Sequence, residues 1–200
     1  MSRNHRGRKP TLDALDQRLV LSTAVPTPIP PGSDTVAVLQ QFTTHYLSRA
    51  GGPRYDPAFD LNHNGQIGQV DGKLLLRRLP PVGPPRPLDV RLAIAPEDQA
   101  RAPLPQNSGG VTHHREPTVV GRTTPGALIF TGTGTIDARL HGPAYVADAT
   151  GTFRVPLTLT DGINQFDVLA VDSRGHQRFR AYPIYWLDFA AYEAAHPRRD

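Results

Sequence analysis

Five prolines in the eight residues 80–87 (Pro80, Pro81, Pro84, Pro85 and Pro87) divide this chain in two. Proline lacks a backbone N–H and fixes φ, so neither a continuous helix nor a central strand can run through such a stretch. An extended, semi-rigid connection between two differently built halves is the expectation. The patterning agrees with this: apolar residues recur at helical spacing before the prolines and alternate after them.

Residues 1–33 read as a disordered tail. It has a basic start (Arg3, Arg6, Arg8, Lys9) and a second proline-rich run with Pro26, Pro28, Pro30 and Pro31. Residues 34–79 carry helical signals. Asp34 suits an N-cap, and Val36, Leu39, Phe42, Thr43, Tyr46 and Leu47 trace one face of a helix that Gly51, Gly52 and Pro53 terminate. Val70, Leu74, Leu75 and Leu79 outline a second short helix, stopped by Pro80.

Beyond the linker, residues 88–187 read as strands. Phe153, Val155, Leu157 and Leu159 alternate with mainly polar neighbours, and Pro156 among them argues for an edge strand or a bulge. Phe166, Val168 and Ala170 form a further inward set, while Leu169 and Val171 make the opposite face partly apolar too. A first strand is expected over 88–95. Thr124-Pro125-Gly126, Asp161-Gly162 and Ser173-Arg174-Gly175 supply the turns. With 18 glycines and 21 prolines, short strands and tight turns are favoured over long helices. The fold class expected is α+β multidomain: a small helical unit, the Pro-rich linker, an all-β sandwich, and a tail at 188–200 that starts with a helical turn or two.

Chemistry concentrates in residues 60–71. Asp60, Asn62 and Asn64 stand two apart, Gly65 follows, and Asp71 closes a twelve-residue loop. Calcium takes six to eight oxygens, so a loop that wraps it must aim side-chain oxygens inward at alternate positions. Asp60, Asn62 and Asn64 offer theirs, Gly65 permits the sharp turn, and Gln66 contributes its backbone carbonyl. Gly68 leaves room for water, and Asp71 completes the shell at the start of a helix, where a carboxylate is favoured. Ile67 points the other way and is apolar, as packing against a partner loop requires. The competing reading is an Asn/Gly-rich surface turn that binds nothing. With only two carboxylates, and Asp71 shorter than glutamate, the expected dissociation constant is about 10⁻⁴–10⁻³ M, the range of extracellular modules.

The run from Tyr55-Asp56-Pro57-Ala58-Phe59-Asp60 to Leu79 resembles the second repeat of a type I dockerin, an EF-hand-like calcium-binding module. The resemblance spans 34–79. It implies a Ca2+ cofactor held by Asp60, Asn62, Asn64, Gln66 and Asp71, and docking onto cohesin domains. The twelve residues before Thr35 carry prolines where the first repeat's ligands belong, so only one of the family's two sites is expected. Residues 88–187 resemble bacterial immunoglobulin-like (Big-type) domains. That likeness is carried by 117–127, by 147–153, by Leu159-Thr160-Asp161-Gly162-Ile163-Asn164 and by 168–175, with a lengthened loop expected over 132–143. It implies a spacer or adhesion module. The segment from Leu12 to Ser22 is similar to an N-terminal motif of some exported bacterial surface proteins and favours an extracellular or cell-surface location.

Several function classes recede. There is no cysteine, so disulfides, thiolate metal sites and cysteine nucleophiles are excluded. The formal charge of +4 owes much to the two tails, and no recognition motif accompanies it, so nucleic acid is not an expected partner. No stretch provides the ~20 apolar residues of a transmembrane helix. His113 and His114 lack a third ligand. The Gly132-Thr133-Gly134-Thr135 run lacks the context of a nucleotide-binding turn and reads as loop. No nucleophile motif or paired carboxylates stand out, so no enzyme is expected. Tyr182, Tyr185, Trp186, Phe189 and Tyr192 could stack on a glycan or a protein partner, although packing across the sandwich accounts for them too. The expected function is a non-catalytic calcium-binding surface or secreted protein. The alternative is a dockerin-bearing accessory component of polysaccharide-degrading machinery.

Overall fold

The computed structural model describes residues 34–83, 87–99, 109–134, 140–186 and 188. The expected tail at 1–33 with its export-like motif, Leu187, Phe189, Tyr192 and the expected C-terminal helical turn lie outside them. The fold is sheet-rich α+β, with two short helices and eight strands among the described residues.

Helix α1 (Thr35–His45) begins where Asp34 accepts the Val36 N–H at 2.9 Å, an N-cap that satisfies an otherwise orphaned donor. Helix α2 (Gln69–Arg78) follows the 60–71 loop, and its C-cap Leu79 adopts an extended conformation just before Pro80. The Thr35 hydroxyl donates to the Pro80 carbonyl at 3.1 Å, so the start of α1 is tied to the end of α2.

Eight strands follow: β1 (Arg91–Ile94), β2 (Gly110–Thr112), β3 (Thr118–Arg122), β4 (Leu128–Gly134), β5 (Ala144–Val146), β6 (Thr152–Pro156), β7 (Gly162–Val171) and β8 (Gln177–Trp186). They form a three-stranded sheet ordered β1-β3-β6 and a five-stranded sheet ordered β2-β8-β7-β4-β5. Every pairing is antiparallel except β2 with β8. Ile94, Val119, Phe153 and Val155 of the first sheet meet Ile129, Phe166, Val168, Ala170 and Ile184 of the second in a buried core, as in a β-sandwich.

Pro156 ends β6, an edge strand, where its missing N–H breaks no ladder bond to a second neighbour. Leu157 and Leu159 lie beyond the strand yet stay buried, held by N–H bonds to the Pro117 and Arg115 carbonyls at 2.9 Å. The first strand is shorter than 88–95, since only Arg91 to Ile94 pair with β3. Gly126 has φ of 68° in the turn between β3 and β4, as a glycine following proline in a type II turn requires. Gly132 to Gly134 corrects an expectation. This run is not loop but the end of β4, paired with Phe166 to Asp167 and Gln165 of β7. Two glycines in three residues erase the alternation by which a strand is recognised.

The five-stranded sheet is covered on both faces where β4, β5 and the end of β7 run, while the outer face of β8 stays exposed. Leu128 and Phe130 of β4, Ala144 of β5 and Val171 of β7 face away from the sandwich and share a second core with Leu39, Phe42, Tyr46, Phe59, Ile67, Leu75, Leu76 and Leu79. The helical unit is thus a third layer on the sheet. Prolines 80 and 81 do not hold the two halves apart, and Val82 lies against the β3–β4 turn, where a Cβ on Gly126 would come within 2.6 Å of it. The physical reason is the apolar outer face of β4 and β7, which needs a cover.

Candidate metal centre

All five sequence-predicted ligands fall in one short loop whose shape is set by its own hydrogen bonds. Asp60 Oδ1 accepts the Asn64 N–H at 3.1 Å, and Oδ2 accepts the Gly65 N–H at 2.8 Å and the Tyr55 hydroxyl at 2.6 Å. Asn62 Oδ1 accepts from Asn64 N and Asn64 Oδ1 from Gln66 N, two successive Asx turns that curl the chain. Gly65 has φ of 77° and His63 φ of 56°, so two residues take the left-handed region in this tight curl.

Asp71 bridges the ends of the loop. Its Oδ1 accepts the Asn62 N–H at 3.1 Å, and its Oδ2 accepts the Gly68 N–H at 2.8 Å. It occupies the third position of α2, so the second bond is one half of a capping box at the helix start.

The outer side of the loop is pinned by backbone pairing. Leu47 N–H donates to the Ile67 carbonyl at 2.9 Å, Ile67 N–H to the Ser48 carbonyl at 3.0 Å, and Ala50 N–H to the Gly65 carbonyl at 2.8 Å. Ile67 therefore pairs with the segment after α1 rather than with a second calcium loop, and its side chain is fully buried in the shared core. Carbonyls 65 and 67 point outward to residues 47–50. By the alternation of an extended chain, the Gln66 carbonyl between them points inward.

The remaining acceptor capacity fits a hard cation. A carboxylate has about four lone-pair sites. At Asp60, Oδ2 is saturated by two donors while Oδ1 keeps one site; at Asp71 each oxygen keeps one. Adding Asn62 Oδ1, Asn64 Oδ1 and the Gln66 carbonyl brings the set to the lower end of calcium's requirement of six to eight. A Cβ on Gly68 would stand 3.9 Å from Asp71 Oδ2, in ordinary van der Waals contact with the carboxylate. No group of three His, Cys, Asp or Glu side chains with metal-holding geometry occurs among the described residues. The loop instead combines two carboxylates with amide and backbone oxygens.

Charge is the telling property. Asp60 is 2% exposed and Asp71 is 0% exposed, and neither joins an ion pair among the described residues. Burial works against ionisation of Asp60. It is outweighed by the Tyr55 hydroxyl, then by the Gly65 and Asn64 N–H groups and the nearby His63, which together hold its carboxyl below the usual range.

Tyr55 is the site residue that sequence reasoning did not assign. It lies outside the twelve-residue pattern, and only its place in the Tyr55-Asp56-Pro57 run before the loop hinted at a role. Its bond to Asp60 pushes its own hydroxyl up to about 12, aided by burial and by the charges of Asp60, Asp71 and Asp56. Tyr46, buried beneath the sheet, is likewise pushed up to about 12. Burial also raises the Tyr145 and Tyr182 hydroxyls, so an ultraviolet titration of phenolate should show at least four of the six tyrosines ionising late, Tyr46 and Tyr55 among them. Tyr55→Phe should remove one of them and lower stability at neutral pH by about 1.5–3 kcal/mol, the range for a hydrogen bond to a charged group. An unchanged late phase in that variant would assign it elsewhere.

The other candidates do not assemble. His113 and His114 lie in the loop between β2 and β3, where the His113 carbonyl accepts the Trp186 indole N–H at 3.3 Å. Tyr182 and Trp186 pack against the sandwich core, whereas Tyr185 is 42% exposed on the opposite face of β8. No helix among the described residues is long and apolar enough to cross a membrane. Comparison with protein-family models and with curated proteins finds no match for the chain.

Proposed function

We propose that residues 60–71 bind one calcium ion and that the protein is a non-catalytic calcium-binding surface or secreted protein. Asp60 and Asp71 supply the charge, Asn62, Asn64 and the Gln66 carbonyl the neutral oxygens. The observation that carries this reading is the pair of buried carboxylates that keep open acceptor sites and join no ion pair among the described residues. Hydrogen bonds already keep Asp60 ionised, and a divalent cation is the counter-charge that the open oxygens of Asp60 and Asp71 can take together. In this reading 34–79 is a dockerin/EF-hand-like unit with a single site, and 88–187 is an immunoglobulin-like spacer or adhesion module. A site with two carboxylates suits the high calcium of an extracellular setting.

Calorimetric titration of the full chain with calcium chloride tests the assignment. Saturable heat is expected with a dissociation constant on the order of 10⁻⁴–10⁻³ M. It should disappear in Asp60→Ala and weaken in Asn64→Ala, whose side chain is exposed and whose loss disturbs the fold less. Wild-type protein without heat, or equal heats in all three, rejects calcium binding here.

A further inference from the structure

The following rests on the calcium reading of residues 60–71. Ligand and sheet are separated by a single peptide bond. Asp71 is fully buried at the loop, and the next residue, Gly72, lies on the sheet. A Cβ on Gly72 would come within 2.6 Å of Leu128 Cδ2, 3.0 Å of Phe130 Cζ and 3.1 Å of Phe42 Cε1. Glycine is thus what lets the first turn of α2 approach β4 so closely. The other anchor is Ile67, inside the loop and wholly buried in the same core. Tyr46 completes the contact, its ring centroid 5.3 Å from that of Phe130.

We propose that calcium at this loop governs the stability of the β-sandwich as well as of the helical unit, by keeping Ile67 and the first turn of α2 docked on the outer face of the five-stranded sheet. Without the cation, the open oxygens of Asp60, Asn62, Asn64 and Asp71 lose their common partner, and the loop that carries Ile67 and leads into α2 is held by its own hydrogen bonds alone. Loosening there uncovers Leu128, Phe130, Ala144 and Val171, four buried residues of three strands that also form the sandwich. Those strands lose one of their two apolar faces, so the sandwich weakens although no ligand belongs to it. A unit merely tethered by prolines would transmit nothing.

The chain carries its own reporter. Its single tryptophan, Trp186, sits on the far side of the five-stranded sheet, against the sandwich core and with the Arg115 guanidinium 5.9 Å from its ring. Thermal unfolding of the full chain should be followed by Trp186 fluorescence and by helical circular dichroism, in excess calcium chloride, in EDTA, and in magnesium chloride of matched ionic strength. With calcium at about ten times its dissociation constant, both midpoints should rise together by about 3–5 °C. Amide exchange should slow in β4 and β7 as well as in 47–78. In Gly72→Leu, a good helix former too large for the gap, calorimetric heat should persist while the Trp186 shift shrinks. Calcium heat with slowed exchange confined to 47–78 and an unmoved tryptophan midpoint overturns the coupling but leaves the calcium site standing. Absence of heat in the wild type removes both.

Discussion

Phe42→Ala should destabilise the whole protein by about 3–5 kcal/mol, the range for deleting a fully buried aromatic side chain. Phe42 is 0% exposed, and its ring lies 6.0 Å from those of both Tyr46 and Phe59. It also touches Gly72 at the contact of α2 with β4. One ring therefore fills the junction between α1, the entrance of the 60–71 loop, α2 and the sheet, and few neighbours can move to close the hole. For a chain of this size the melting midpoint should fall on the order of 10 °C. The fall should be equal by helical dichroism and by Trp186 fluorescence, because the ring belongs to the layer that covers the five-stranded sheet. Phe42→Leu, which keeps most of the volume, should lose much less. If only the helical signal moves in Phe42→Ala, the helical unit is an independent module.

Much of this layer was legible in the sequence, but its destination was not. The helical spacing of Leu39, Phe42 and Tyr46 marks a buried face without saying what buries it. The missing half of the argument stood in β7, where Leu169 and Val171 made the supposedly outer face apolar. Period-two alternation with apolar residues on both faces means a strand covered on both sides, and Leu128 and Phe130 in β4 repeat the signature. The prolines of 80–87 pointed the other way, since local stiffness says nothing about whether the flanking surfaces attract. Gly132 and Gly134 were unreadable for a different reason: they carry no side chain, and their place in β4 comes from pairing with β7. At residues 60–71 spacing alone foretold the curl of the chain, because an Asn side chain accepting the N–H two residues on, and a glycine at the left-handed turn, are local consequences of residue type. Tyr55 and the pairing of 47–50 with 65–67 depend on the chain folding back, which no spacing rule encodes.

Asp60→Ala should rival Phe42→Ala in size, at about 3–5 kcal/mol even in EDTA. The carboxylate accepts three bonds, from the Tyr55 hydroxyl and the Asn64 and Gly65 N–H groups, in a place shielded from water. Alanine leaves the Tyr55 hydroxyl and the Gly65 N–H without their acceptor, and the Asn64 N–H with Asn62 Oδ1 alone. Asp60→Asn is the informative companion. Its amide oxygen can keep the Tyr55 and Gly65 bonds, but its NH2 then faces the Asn64 N–H and the place of the ion. Asparagine should therefore recover part of the stability and none of the calcium heat. Protonation makes a similar change reversibly. Because the folded state holds the Asp60 carboxyl below its usual range, its stabilising contribution is complete above the unfolded value of about 4 and is lost as pH falls through the lower folded value. Urea midpoints in EDTA should accordingly decline below about pH 4 in the wild type, and less steeply in Asp60→Asn, which has no carboxyl to titrate. Parallel acid profiles for the two proteins would show that Asp60 ionises with the same ease folded and unfolded, and that its three hydrogen bonds do not favour the carboxylate in the folded protein.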